Sequence, residues 1–174
     1  MTDFSCFVGL DVSKEGFCVF HGDTGHTYSL ENSSAGFATL IENLGDVAEQ
    51  LIALEPTGGC EWALWEALAE AGYNVRQVSA AHVRSFARSL GNLAKTDPLD
   101  AQMIARFIAF RPDAGRHLPV KRLRELNGLL SRRRQIVTMR KQLRCQIKQR
   151  AGKQLKSMDG TLLSLLNRQI GQAH

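Results

Sequence analysis

Four carboxylates stand where acids that work together would be expected. Asp97 and Asp100 lie three residues apart in Lys95-Thr96-Asp97-Pro98-Leu99-Asp100-Ala101. That stretch reads as a helix start, because Pro98 fits a first turn, where its missing N–H has no helical partner. Ala101, Ile104, Ala105 and Ile108 continue the helix at its period, so both carboxylates project from one face. Asp11 lies near the end of an apolar run over 4–12, and Glu55 follows the apolar Gln50-Leu51-Ile52-Ala53-Leu54 directly. Like charges brought together repel, and a divalent cation is the usual compensation. Four oxygen donors suit Mg²⁺ or Mn²⁺, and two such ions can hold the attacking and leaving oxygens of a phosphodiester displacement. Each acid also has a plainer role. Asp97 can cap a helix, and Asp100 can be a first-turn acid favoured by the helix dipole. Asp11 can start a turn with Ser13 and Gly16, and Glu55 can be a solvated residue before Pro56. Their joint position on elements able to converge favours the metal reading.

The elements that must position these acids follow from the pattern of the chain. Strands are expected over 4–12, 15–21 and 24–30, with Gly22 and Gly25 in turns, as an antiparallel meander. Ser33 or Ser34 caps a helix to about Leu44, then come strand 50–54, a helix from about Cys60 to Ala71, strand 73–79 and a helix over 81–90. A meander followed by alternating strand and helix predicts an α/β architecture, a mixed five-stranded sheet with helices on both faces. If the strands ending in Asp11 and Glu55 are parallel neighbours, their side chains meet at one edge, where crevices form. A helix packed there would add Asp97 and Asp100.

Charge divides the chain in two. Residues 1–120 carry 8 Lys/Arg against 15 Asp/Glu, and residues 121–174 carry 14 against 2. The first part suits metal, the second phosphates. No run of about twenty apolar residues suggests a membrane span, and the N-terminus with Asp3 does not read as a signal peptide. Cys6, Cys18, Cys60 and Cys145 lack paired ligand spacing and are read as reduced thiols of a cytoplasmic protein, not as a zinc site.

Three segments carry a resemblance. Gly9-Leu10-Asp11-Val12-Ser13-Lys14, Leu54-Glu55-Pro56-Thr57-Gly58 and Lys95-Thr96-Asp97-Pro98-Leu99-Asp100-Ala101 are similar to the N-terminal motifs of the DEDD, RuvC-like transposases of the insertion-sequence one-ten family, which includes site-specific DNA invertases. The resemblance covers about residues 5–150, and the Val75–Ser79 strand also fits it. It implies an RNase H-like fold and the catalytic, metal-binding tetrad Asp11, Glu55, Asp97 and Asp100. It further implies Mg²⁺ dependence and DNA strand exchange guided by an element-encoded bridge RNA. On this basis 1–115 is expected to be the RuvC-like catalytic domain and 116–174 a basic helical arm. Family members continue into a domain carrying a nucleophilic serine. Ser157 and Ser164 match nothing in it, so that domain is expected to be absent and the chain to be incomplete for recombination.

The arm repeats Leu123, Leu126, Leu129, Leu130, Ile136, Val137, Leu143 and Ile147 at three-to-four spacing, as a long amphipathic helix does. Arg133 and Arg140 interrupt the row shared by Leu126 and Ile147. The leucines are expected to pair with another arm, as a coiled coil making a dimer or tetramer. Arg132, Arg133, Arg134, Arg140, Lys141, Arg144 and Lys148 would then meet DNA or guide-RNA phosphates. The bland alternative is a solvated charged face. A helix over about 155–170 follows, with Gly160 a point of interruption. Lys14 is a minor phosphate candidate against a solvated turn lysine, and the N–H groups of Thr57-Gly58-Gly59 another against a structural turn. His82 and His117 read as surface residues, Trp62 and Trp65 as core. A function of a different class is a nucleic-acid-binding and dimerisation module without cleavage of its own. The phrase Gly9-Leu10-Asp11-Val12-Ser13 also resembles the first phosphate motif of actin-like ATPases, but those need a second similar domain.

Overall fold

The computed structural model describes residues 4–91, 97–149 and 152–172. Lys95, Thr96 and Arg150 lie outside the described residues, as does the side chain of Asp97. The chain forms two compact units, Met1–Leu118 and Pro119–His174.

In the first unit, strands β1 (Cys6–Val12), β2 (Gly16–His21) and β3 (Thr27–Glu31) make the expected meander, with β1–β2 and β2–β3 antiparallel. Strand β4 (Gln50–Leu54) adds to the other side of β1 in parallel, and β5 (Asn74–Gln77) adds in parallel to β4. The sheet order is β3-β2-β1-β4-β5, a mixed five-stranded sheet consistent with an RNase H-like domain. Helices α1 (Ser34–Asn43) and α2 (Trp62–Glu70) cover one face, and α3 (Ala80–Ser89) and α4 (Asp97–Phe110) the other. The cap of α1 is Ser33, whose hydroxyl accepts from the Gly36 N–H at 3.3 Å.

Strand alternation decides what each face receives. Val8, Leu10, Val12, Ile52 and Leu54 pack with Phe37, Leu40, Leu64, Trp65 and Leu68 under α1 and α2. Trp62 stacks on Trp65 with ring centroids 5.5 Å apart, so both belong to the core, as expected. The opposite parity carries Leu51 and Ala53, packed with Met103, Ile104 and Ile108 of α4, and Cys18 and Phe20, packed with Ala101 and Ala105. On this face α4 comes very close to β1 at Gly9. A Cβ there would collide with the Ala101 carbonyl oxygen and lie 2.6 Å from the Ala105 amide nitrogen. Glycine below and alanines above are what permit the approach.

The second unit is a helical hairpin of α5 (Lys121–Ile147) and α6 (Lys153–Gln172). Ile136, Leu143, Leu166 and Ile170 are buried together, with Val137, Ile147 and Leu163 at their rim. The C-terminal half of the apolar row therefore has its partner inside the chain, α6, where the leucine spacing points to another arm. Arg140, the interruption in that row, donates from Nη1 to Asn167 Oδ1 at 3.0 Å. Leu123, Leu126, Leu129 and Leu130 stay between 41% and 58% exposed. The expected break at Gly160 does not occur: α6 runs through it, since burying Leu166 and Ile170 outweighs the modest helical cost of one glycine. Among the described residues, no helix is long and apolar enough to cross a membrane.

Candidate active site

The pairing of β1 with β4 places two of the four acids. Leu10 pairs with Leu54, so Asp11 and Glu55 are the next residues on adjacent parallel strands, at the same C-terminal edge. Asp11 has the parity of Gly9, and Glu55 that of Leu51 and Ala53, which points both toward the α4 side. Both are half-buried. Asp100 is half-buried in the first turn of α4, beside the Ala101 that rests on Gly9. Asp97 is the first residue of α4. Asp11, Glu55 and Asp100 are thus brought to one edge of the sheet, although their ligand oxygens do not all lie within 4.8 Å of one another.

The donor set is oxygen only, from carboxylates on two strand ends and one helix start. That chemistry fits a hard divalent cation such as Mg²⁺ or Mn²⁺. The close approach at Gly9 is the device that brings the start of α4 to the strand ends.

Two further residues fix the loops beneath these acids, and neither stood out in the sequence. Glu61, only 2% exposed, takes the Thr57 N–H (3.2 Å), the Thr57 hydroxyl (3.0 Å) and the Gly59 N–H (2.9 Å) on one carboxylate oxygen. Its other oxygen accepts from Gln77 Nε2 at 3.0 Å, and Gln77 Oε1 accepts from Arg116 Nε at 2.7 Å. Burial pushes the Glu61 carboxyl up. Hydrogen bonds from its own N–H, from Gly59 and from Thr57 outweigh that and hold it below the usual carboxylate range. Glu61 therefore ties down the loop that follows Glu55. The N–H groups of Thr57 and Gly59, candidates for phosphate, are already spent on it. Asn32 Nδ2 donates to the Ser13 carbonyl (2.7 Å) and the Cys60 carbonyl (3.1 Å), clamping the loop after Asp11 to the loop after Glu55.

Lys14 is exposed in the turn closed by the Ser13 N–H to Gly16 carbonyl bond at 2.8 Å. Of the arm cations, Arg132, Arg134, Lys141, Arg144 and Lys148 are exposed, and Arg133 and Arg140 half-buried. His82 and His117 are exposed, as expected of surface residues.

No curated protein matches the chain. The family model of the IS110 DEDD transposases, described as a transposase, matches residues 8–155, which is most of the chain and spans all four acids. With that match over most of its length, the chain belongs to the DEDD transposases of the IS110 family.

Proposed function

We propose that this chain supplies the metal-dependent centre for DNA strand cleavage and exchange, with Asp11, Glu55, Asp97 and Asp100 as its catalytic and metal-binding residues. One observation carries the reading: the Leu10–Leu54 pairing, which leaves Asp11 and Glu55 as neighbours facing the helix that begins with the other two acids. These residues would hold Mg²⁺ or Mn²⁺, and the ion would stabilise charge developing on the oxygens of a phosphodiester. The chain's own contribution is orientation. Gly9 admits α4, Glu61 fixes the loop behind Glu55, and Asn32 clamps the two loops together.

The arm cations, chiefly exposed Arg132, Arg134, Lys141, Arg144 and Lys148, suit nucleic-acid phosphates, whether of DNA or of the bridge-type guide RNA that the family resemblance implies. The exposed Leu123, Leu126 and Leu130 recur at three and four residues and support homo-oligomerisation as a dimer or tetramer. Calorimetric titration of Mn²⁺ into the wild type and into Asp11→Asn and Asp97→Asn tests the metal centre. Affinity should fall at least tenfold in each variant with the fold retained by circular dichroism. Equal affinity in all three proteins would refute it.

A further inference from the structure

At the opposite end of β1, and on the other face of the sheet, three side chains of different chemistry converge. Among the described residues, Cys6, His21 and Asp23 are the group whose sulfur, ring nitrogen and carboxylate oxygen all lie within 4.8 Å of one another. The β1–β2 register explains it. Val8 pairs with His21, and continuing the ladder outward sets Cys6 opposite Asp23, with all three on the face of Val8. Cys6 and Asp11 are five residues apart on one strand, about 16 Å, so this cluster is separate from the carboxylate edge.

The backbone beneath the cluster is held in place. The Gly22 N–H donates to the Phe7 carbonyl at 2.9 Å, the Gly25 N–H to the His21 carbonyl at 2.8 Å, and the His21 N–H to the His26 carbonyl at 3.0 Å. A Cβ on Gly22 would meet the Phe7 carbonyl at 2.7 Å, so the turn sits tight against β1. The His21 ring is fixed by the Tyr28 hydroxyl, 3.2 Å from Nε2, and by stacking on Tyr28 at 5.7 Å between centroids. Asp23 is set by accepting the Thr24 N–H at 2.8 Å. Ring orientation by a second partner and a rigid backbone are what a metal-binding histidine needs. Cys6 and His21 are 7% and 9% exposed, and Asp23 is exposed, which gives an ion a route in.

We propose that Cys6, His21 and Asp23 bind a d-block divalent cation, Zn²⁺ in the first instance, that clips the β2–β3 turn to the start of β1. Thiolate, imidazole and carboxylate suit Zn²⁺ and not Mg²⁺, and two negative ligands neutralise the ion. A tetrahedral ion held by these three would take water as its fourth ligand, reached from the side of exposed Asp23. Binding displaces the Cys6 thiol proton to solvent and forms the metal–sulfur bond. A nucleophilic thiol is the competing reading, and the surroundings oppose it. Burial, together with the charge and hydrogen bonding of Asp23, pushes the Cys6 thiol up to about 11, which leaves it protonated at neutral pH.

The test is titration of the reduced, chelator-stripped full chain with Co²⁺, read by the thiolate-to-cobalt charge-transfer band, followed by displacement with Zn²⁺. The wild type and Glu55→Gln should both develop the band and lose it to Zn²⁺. Cys6→Ser should lack it, and Asp23→Asn, altered at an exposed position, should need at least tenfold more Co²⁺. Zn²⁺ should raise the melting midpoint of the wild type and not of Cys6→Ser. No band in the wild type, or a band that persists in Cys6→Ser, would overturn the assignment. So would a wild-type affinity in Asp23→Asn.

Discussion

Replacing Gly9 with alanine tests how the acids are assembled without touching any of them. The added Cβ would collide with the Ala101 carbonyl oxygen and lie 2.6 Å from the Ala105 nitrogen, both backbone atoms that cannot swing aside. Ordinary contact needs about 3.5 Å, so α4 must move out by about 1 Å. Overpacking of this kind costs about 1–3 kcal/mol, and backbone atoms on both sides argue for the upper end. Trp62 and Trp65, both in the first unit, report its unfolding in urea. The same displacement carries Asp100, next to Ala101, away from Asp11 and Glu55, and misplacement by about 1 Å can cost about 100-fold in a positioned reaction. Gly9→Ala should therefore lose about 2–3 kcal/mol and at least tenfold in Mn²⁺ affinity. A variant within about 0.5 kcal/mol of wild type that keeps its affinity would show that α4 does not deliver its acids by this approach.

Glu61→Gln removes the charge that holds the Thr57 and Gly59 N–H groups and should cost about 2–4 kcal/mol in urea unfolding at neutral pH. Because the Glu61 carboxyl is held below its ordinary 4.5, its stabilisation is full above that pH and lost as pH falls through the folded value; stability of the wild type should drop there more steeply than that of the variant. Equal acid limbs would contradict the assignment of Glu61. Changing Arg132, Arg133 and Arg134 together to Gln should weaken duplex binding and lower the salt slope by up to about 0.9 for each phosphate no longer neutralised; an unchanged slope would remove this part of α5 from the interface. Ile136→Ala, in the buried seam of the helical hairpin, should cost about 2–4 kcal/mol and expose α5 and α6 to amide exchange. Unchanged protection would mean the seam does not hold the hairpin.

What the sequence made legible was local. Alternation and turn residues marked the strands, and Asp11 and Glu55 were visible as strand-end acids because each sits next to an unbroken apolar run. What it hid was set by pairing between distant segments. Glu61 and Asn32 drew no notice in the sequence, because their partners, Thr57, Gly59 and Gln77 for one and Ser13 and Cys60 for the other, are set by how the loops fold back. Cys6 has no partner at metal-ligand spacing in sequence; the antiparallel register supplies His21 and Asp23. In the arm, leucine spacing predicted a helix and named another arm as its partner, whereas part of the row is covered by α6 of the same chain. The short link to α6 allowed Ile136 and Leu143 to be covered within the chain.

The central claim is that Asp11 and Glu55 serve one metal centre, and a double-mutant cycle in Mn²⁺ affinity tests it most directly. Calorimetry on the wild type, Asp11→Asn, Glu55→Gln and the double variant, with the exposed helix acid changed in Glu70→Gln as control, gives the coupling between the two acids. Acids that share an ion should each cost tenfold or more alone, with little further loss in the double variant and none in the control. Strictly additive losses, or single variants that bind as the wild type does, would mean that the two strand ends do not form one site.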